Sequence, residues 1–109
     1  MTPEGLIKAR TKKLLAAHDC ISASEVGKTK GGAGWYYMPV QAGLGVKGVP
    51  DFIGCYKGKF FSIETKAPGK RPTDLQAMQI DLIRVARGLC FVIDGDAGLE
   101  MLGAWLKGE

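Results

Sequence analysis

The sequence has few of the cysteine and histidine residues that form sulfur-ligated metal sites and disulfide-stabilised folds. Its three cysteines form no CxxC pair and His18 is the only histidine, so a zinc site is not expected. The cysteine count is odd, and Cys55 and Cys90 lie within apolar, strand-like runs. We therefore predict buried free thiols and a cytoplasmic, reducing location.

Long apolar segments are also missing. No run approaches the ~20 apolar residues that a membrane span needs, and the N-terminal sequence MTPEGLIKAR has no apolar signal-peptide core. A length of 109 residues and a hydrophobic fraction of 46% predict one globular domain over residues 1–109. We expect neither membrane insertion nor export.

Charge of neither sign dominates the sequence. A formal net charge of +4 favours anionic partners, but a solubilising surface explains it equally well. The basic residues gather on the first predicted helix, in a glycine-rich loop and beside the motif described below. Charge alone therefore does not decide whether the protein binds nucleic acid.

A nucleotide-binding loop is not expected either. The segment SASEVGKT is close to the Walker pattern, but Ser22 stands where the first glycine belongs. The segment is predicted to follow a helix rather than a strand, and the chain is short for an NTPase. We therefore predict no nucleotide cofactor.

Caps and turns delimit the first half of the chain. Thr2, followed by proline, opens a helix that is predicted to end near Ala17. The run WYYMPV at 35–40 has the composition of a strand, in which Pro39 marks a sheet edge or a strand end. Two apolar runs within 48–66, separated by a tight turn, form a predicted hairpin.

The second half is predicted to alternate helix and strand. Thr73 and Gln76 form a capping box before a helix over 74–87. LCFVI at 89–93 has the continuous apolar character of a strand covered on both faces, and a closing helix follows at 99–106. The order α-β-β-β-α-β-α predicts an α/β fold with a mixed central sheet flanked by helices.

The helix over 74–87 carries an apolar stripe that we expect to face the sheet. The stripe consists of Leu75, Met78, Leu82, Val85 and Ala86. Ile80 and Ile83 lie off this stripe and are candidate dimer contacts. We expect Trp35, Tyr36 and Tyr37 to lie in the core or on a dimer surface rather than to stack against DNA bases.

The hairpin GVPDFIGCYKGKFFSIETK carries three charged residues where apolar or β-branched ones are usual. Glu64 and Lys66 are two apart and so share one face of their strand. A turn at 58–59 would place Asp51 opposite Lys66. A turn at 57–58 would place Asp51 opposite Glu64 instead. In either register the three side chains are predicted to lie on one face, at the end away from the turn.

Two carboxylates at one strand end repel each other unless positive charge lies between them. A structural salt bridge with Lys66 is one explanation. The other is an oxygen-ligated divalent cation, because Mg²⁺ takes one or two carboxylates together with waters and phosphate oxygens. Beside such a cation, Lys66 could orient or help deprotonate a water, or stabilise negative charge on a phosphate.

The motif and its surroundings resemble the VRR-NUC branch of the PD-(D/E)xK nucleases, in its small stand-alone viral and bacterial form. Pro50-Asp51 followed by Glu64-Thr65-Lys66 matches the superfamily signature. PEG near the N-terminus, YYMPVQAGLGVKG, GVPDFIG, FFSIETKAPG and a glutamine three residues after a helix-capping threonine also look like this branch. The resemblance covers nearly the whole chain and implies a restriction-endonuclease-like core.

The resemblance also implies roles for individual residues. Lys66 would be the catalytic lysine, and Gln76 would be a catalytic residue near the active site. The branch often has valine at the position of Thr65. This difference should not affect activity, because the backbone carbonyl at this position, and not the side chain, would bind the metal. The implied metal ligands are Glu4, Asp51, Glu64 and the backbone carbonyl of Thr65.

Simpler roles stay open for several of these residues. Glu4 also suits the positive end of the first helix dipole, and Gln76 also completes the capping box. A solvated surface is the alternative for the residues assigned to DNA contacts, which are Lys8, Lys12, Lys28, Lys30, Gln41, Lys47, Lys70 and Arg71.

The function implied by the resemblance is metal-dependent cutting of structured DNA, such as four-way junctions, by a homodimer in a bacterial or phage-infected cell. Mg²⁺ would be the cofactor and Mn²⁺ its substitute. The alternatives are a non-catalytic DNA-binding module on the same fold and a protein-interaction adaptor with a structural salt bridge.

Overall fold

The computed structural model of the chain describes residues 1–40 and 45–109. These residues form three α-helices, five β-strands and one short 3₁₀ helix. In chain order the elements are α1 (Pro3–Ala17), β1 (Cys20–Ser22), the 3₁₀ helix (Ala23–Glu25), β2 (Gly34–Tyr37), β3 (Phe52–Tyr56), β4 (Lys59–Thr65), α2 (Asp74–Val85), β5 (Leu89–Ile93) and α3 (Asp96–Lys107). No helix within the described residues is long and apolar enough to cross a membrane.

The strands form one mixed sheet of five strands in the order β1-β2-β3-β4-β5. β1 is parallel to β2 and β4 is parallel to β5, whereas the β2-β3 and β3-β4 pairs are antiparallel. The predicted α/β class with a mixed sheet is confirmed. Strand β1 is an addition to the predicted order, because its three residues, CIS, are too few to show a strand pattern.

The segment SASEVGKT therefore follows a strand, and the prediction that it follows a helix is wrong. The chain leaves β1 directly into the three-residue 3₁₀ helix. At its start the Ser22 hydroxyl accepts a hydrogen bond from the backbone N–H of Ser24 (3.2 Å). A Walker loop instead leads into an α-helix, so the segment differs from that motif in structure as well as in its first residue.

The turn between β3 and β4 settles the register that the sequence left open. Tyr56 pairs with Lys59, and the turn residues Lys57-Gly58 have φ values of 49° and 82°. Two left-handed residues are typical of a type I′ turn, whose twist matches that of a hairpin. The last pair of the ladder is Phe52 with Ile63, so the register is the one that brings Asp51 toward Glu64 at the end away from the turn.

Both predicted helix starts are confirmed. The Thr2 hydroxyl accepts a hydrogen bond from the backbone N–H of Gly5 (3.0 Å). Before α2, the N–H of Gln76 donates to the Thr73 hydroxyl (3.3 Å). The Thr73 N–H donates in return to the Gln76 side-chain oxygen (2.9 Å), which completes the capping box.

The main core lies between one face of the sheet and helices α1 and α3. Phe52 and Phe61 of the central hairpin are fully buried there. Trp105 of α3 meets three aromatic rings at centroid distances of 5.5 to 5.6 Å. At the surface, Arg10 of α1 and Asp96 of α3 form an ion pair at 2.6 Å, which joins the two helices.

Helix α2 packs on the other face, and its orientation contradicts the predicted stripe. Ile80, expected off the stripe and on a dimer surface, is the buried residue of α2, so its prediction as a dimer contact is wrong. Gln79 donates to the Lys47 carbonyl (3.4 Å) and Arg84 to the Cys90 carbonyl (2.8 Å), and these hydrogen bonds hold the Ile80 side toward the sheet. The residues of the predicted stripe are exposed instead, and they are Leu75, Met78, Leu82, Val85 and Ala86.

The cysteines are free, as predicted, but they are not all buried. Cys20 and Cys90 are buried, whereas Cys55 is exposed. Cys55 alternates along β3 with residues that face the core, so its thiol lies on the second face of the sheet. Helix α2 contacts this face beside β5 and leaves the surface over β3 open.

The aromatic residues of β2 are divided between the two faces of the sheet. Tyr36 is part of the buried core. Trp35 and Tyr37 are about half exposed on the second face, with ring centroids 6.0 Å apart. The prediction that these residues lie in the core or on a dimer surface is therefore confirmed for Tyr36, which lies in the core. For Trp35 and Tyr37 it stays a prediction.

Gly54 provides a test of the packing of the central hairpin. A Cβ at this position would overlap the carbonyl oxygen of Trp35 and lie 2.9 Å from the Phe61 ring. Gly54→Ala should therefore lower the free energy of unfolding in urea by about 1–3 kcal/mol. Gly103→Ala, whose Cβ would lie 3.9 Å from Leu14 in ordinary contact, should leave it unchanged or raise it by up to about 1 kcal/mol, because alanine favours a helix interior. Equal stabilities for the two variants would contradict this packing.

Candidate functional site

The open end of the β3-β4 hairpin carries the charged cluster. Asp51 lies in a bend just before β3 rather than in the strand itself. Its Oδ2 accepts two hydrogen bonds from Thr65, one from the backbone N–H (2.9 Å) and one from the hydroxyl (2.7 Å). These bonds, and not strand alternation, fix the position of the Asp51 carboxylate.

Glu64 is the most deeply buried acid of the cluster, with 2% of its surface exposed. Its Oε2 lies 3.7 Å from Nζ of Lys66, in agreement with the prediction that these two residues share a face. Its Oε1 is buried and has no hydrogen-bond partner among the residues that the structure describes. Leaving a buried acceptor unpaired costs about 1–3 kcal/mol, so this oxygen requires an explanation.

The pKa of Glu64 is raised from 4.5 to about 7, and burial is the largest cause. The negative charges of Asp51 and, to a smaller extent, Glu4 contribute to this increase, while Lys66 and a backbone hydrogen bond from Asp51 oppose it. Without a bound cation the site therefore holds a carboxyl group that exchanges its proton near neutral pH.

Lys8 stands between two acids at the rim of the cluster. Its Nζ lies 3.8 Å from Oδ1 of Asp51 and 3.7 Å from Oε2 of Glu4. Sequence reasoning assigned Lys8 to DNA phosphates and missed these ion pairs. The Glu4–Lys8 spacing of four residues on α1 signals the first pair, but the second depends on how α1 docks.

The loop after β4 is held against the end of β5. The backbone N–H of Gly69 donates a hydrogen bond to Oδ2 of Asp94 (3.1 Å). This contact tethers the exposed side chains of Lys70 and Arg71 near the strand end that carries Lys66. Asp94 is a supporting residue that sequence reasoning missed, and its position directly after β5 is the signal that could have found it.

The remaining predicted site residues lie in a cap or on the surface. Gln76 uses its side-chain oxygen in the capping box, and its catalytic role stays a prediction. Gln41 lies outside the described residues. The predicted DNA contacts that are exposed, in addition to Lys70 and Arg71, are Lys12, Lys28, Lys30 and Lys47.

Asp51 and Glu64 form a donor set that fits a divalent cation. Glu64 Oε1 lacks a partner, and Oδ1 of Asp51 is not used by Thr65. Mg²⁺ commonly takes one or two carboxylates and completes its shell with water and substrate oxygens. Across residues 1–40 and 45–109, no group of three or more His, Cys, Asp or Glu side chains is placed to hold a metal. Metal ligation by Asp51, Glu64, the carbonyl of Thr65 and Glu4 therefore stays a prediction, which the donor chemistry of the two buried carboxylates fits.

Comparison with known proteins adds no relative. No family model matches the sequence, and no curated protein matches it. The resemblance to the VRR-NUC branch therefore stays a prediction, and the site residues themselves carry the functional interpretation.

The raised pKa of Glu64 predicts how stability depends on pH in EDTA. Between the unfolded value of 4.5 and the folded value of about 7, the folded protein binds a proton that the unfolded chain has lost. The free energy of unfolding should therefore fall as pH rises through this window, by up to about 3 kcal/mol. Urea denaturation from pH 4.5 to 8 measures this slope.

Glu64→Gln should flatten the slope, because the amide does not titrate. Glu100→Gln, which removes an exposed carboxyl from α3, serves as the control and should keep the wild-type slope. A wild-type stability that rises across the window, or an unchanged slope in Glu64→Gln, would contradict the assignment.

Proposed function

We propose that the protein is a divalent-metal-dependent endonuclease that hydrolyses phosphodiester bonds in branched DNA, such as four-way junctions. The buried Oε1 of Glu64, which has no hydrogen-bond partner within residues 1–40 and 45–109, carries this proposal. A structural salt bridge with Lys66 explains one oxygen of Glu64 and leaves the other unpaired. A cation held by Oε1 of Glu64 and by Asp51 would give this second oxygen a partner, which is why we favour a metal site over a salt bridge alone.

The chain's own residues have separate roles in the proposed site. Lys66 is mostly buried beside Glu64, so its ammonium is positioned to stabilise negative charge on the reacting phosphate. Gln76 is a further catalytic candidate from the start of α2. A bound cation supplies Lewis acidity toward phosphate oxygens. The residues proposed to hold Mg²⁺, or Mn²⁺ in its place, are Asp51, Glu64, the carbonyl of Thr65 and Glu4.

Exposed basic residues supply the proposed DNA surface. Lys70 and Arg71 are the best placed, because the Gly69–Asp94 hydrogen bond tethers their loop beside β4 and β5. Binding through phosphates should weaken with salt, since each contact releases counterions. The other proposed basic contacts are Lys12, Lys28, Lys30 and Lys47. Gln41, outside the described residues, is a further proposed contact.

The fold and location complete the proposal. The mixed sheet and its helices would form a restriction-endonuclease-like core of the VRR-NUC type, as one domain over residues 1–109. Free thiols, two of them buried, suit a reducing cytoplasm in a bacterium or a phage-infected cell.

Lys66→Met provides the main test of the proposed activity. Labelled four-way junction, duplex and single-stranded DNA would be incubated with Mg²⁺, Mn²⁺ or EDTA, and cleavage would be followed on gels. We expect metal-dependent cutting that the variant lowers by about a hundredfold or more. Lys59→Met removes the same charge from the exposed, opposite end of β4 and should cut like the wild type.

The alternatives predict different results in the same experiment. Salt-sensitive DNA binding without cutting under any metal condition would favour a non-catalytic DNA-binding module. Absence of DNA binding at low salt would favour a protein-interaction adaptor with a structural salt bridge. Equal cutting by wild type and Lys66→Met would exclude the proposed role of this lysine.

We also propose that the enzyme acts as a homodimer through the outer face of α2. Four large apolar side chains on this face are exposed by 45% to 83%, an arrangement that usually marks an interaction surface. Their spacing of three and four residues is that of a heptad seam, which packs best against a second helix with the same spacing. A second copy of the chain presents that helix. The four residues are Leu75, Met78, Leu82 and Val85.

Leu82→Lys tests this interface. We expect size-exclusion chromatography with light scattering to give the mass of two chains for the wild type and of one chain for the variant, because a charge in an apolar seam is costly to bury. Met101→Lys, at an isolated exposed position on α3, should stay dimeric. A monomeric wild type would exclude the proposed dimer.

A further inference from the structure

Lys8 takes a position in the site that its assignment as a surface phosphate contact does not explain. Its ammonium contacts the carboxylates of both Glu4 and Asp51, at 3.7 and 3.8 Å. The Asp51 side chain is only 9% exposed, and that of Lys8 is 30% exposed. The cluster therefore pairs each buried carboxylate with its own lysine: Lys8 with Asp51, and Lys66 with Glu64.

The two oxygens of Asp51 have different neighbours. Oδ2 accepts both hydrogen bonds from Thr65. Oδ1 faces Nζ of Lys8. A cation that binds Asp51 without breaking the Thr65 contacts must therefore use the oxygen that Lys8 now neutralises.

We propose that Lys8 is the resident counter-ion of Asp51 in the metal-free protein and that a divalent cation must displace its ammonium to bind. This inference rests on the proposed metal site. A doubly charged ion repels an ammonium that shares its ligand. The flexible four-carbon stem of lysine allows the ammonium to move away, and Glu4, one helical turn earlier, offers it a second acceptor. Lys8 thereby offsets part of the negative charge of the metal-free site, and it lowers the affinity of the site for metal.

Replacing Lys8 with methionine should have opposite effects on the metal-free and metal-bound protein. Lys8→Met leaves Asp51 without its counter-ion, so the melting temperature in EDTA should fall slightly. The same change removes a competitor, so the dissociation constant for Mn²⁺ from calorimetry should fall about three- to tenfold. The upward shift in melting temperature on adding saturating Mn²⁺ should be larger than in the wild type.

Three further variants separate this effect from a general loss of charge. Lys13→Met removes an exposed lysine from the same helix and should bind Mn²⁺ like the wild type. Lys8→Arg keeps the charge and should stay within about twofold of the wild-type affinity. Lys8→Gln repeats the neutralisation with a polar side chain, in case methionine disturbs the helix.

The outcomes distinguish this inference from the proposed metal site. Binding of Mn²⁺ by the wild type with equal or weaker binding by both neutral variants would overturn the role of Lys8 and leave the metal site standing. Binding by neither the wild type nor the variants would overturn both. Binding that is measurable only after Lys8 is neutralised would support both.

Discussion

The two hydrogen bonds from Thr65 to Asp51 hold the charged end of the hairpin together. Asp51 precedes β3 and Thr65 ends β4, so these bonds close one end of a hairpin whose other end is closed by the type I′ turn. They occupy one oxygen of Asp51 and turn the other toward Lys8. They also hold a negative charge near Glu64, which adds to the increase in its pKa caused by burial. This one contact therefore sets both the partner of Asp51 and the second-largest influence on the pKa of Glu64.

The same hairpin serves the core and the site on opposite faces. In β4, Phe61 and Ile63 are fully buried in the aromatic core, whereas Glu64 alternates with them and faces the other way. A register shift of one residue would exchange these sets and place charge in the core. The core therefore enforces the register, and the register holds an acid in a position that is unfavourable for stability alone. Residues held in positions that lower stability are expected at functional sites.

Features that depend on contacts between residues close in sequence could be predicted, whereas features that depend on how the helices pack against the sheet could not. The caps at Thr2 and Thr73 join groups three residues apart, so their signals are complete within the sequence. Residue spacing likewise grouped Glu64 with Lys66 before any register was known. The orientation of α2 had no such signal, because the helix has apolar residues on two sides and its hydrogen bonds to the carbonyls of Lys47 and Cys90 hold one of them to the sheet. The pairing of Lys8 with Asp51 depends on the docking of α1 and was missed for the same reason.

The contact between the first and last helices has a consequence for how the protein is made. Helix α1 carries Glu4 and Lys8, and it packs against α3 through the shared core and the ion pair between Arg10 and Asp96. A nascent chain that has left the ribosome only as far as Lys66 contains every member of the charged cluster, but it lacks β5, which pairs with β4, and α3, which packs against α1. The contacts that hold the elements of the cluster in place are therefore completed only after its last member has been made.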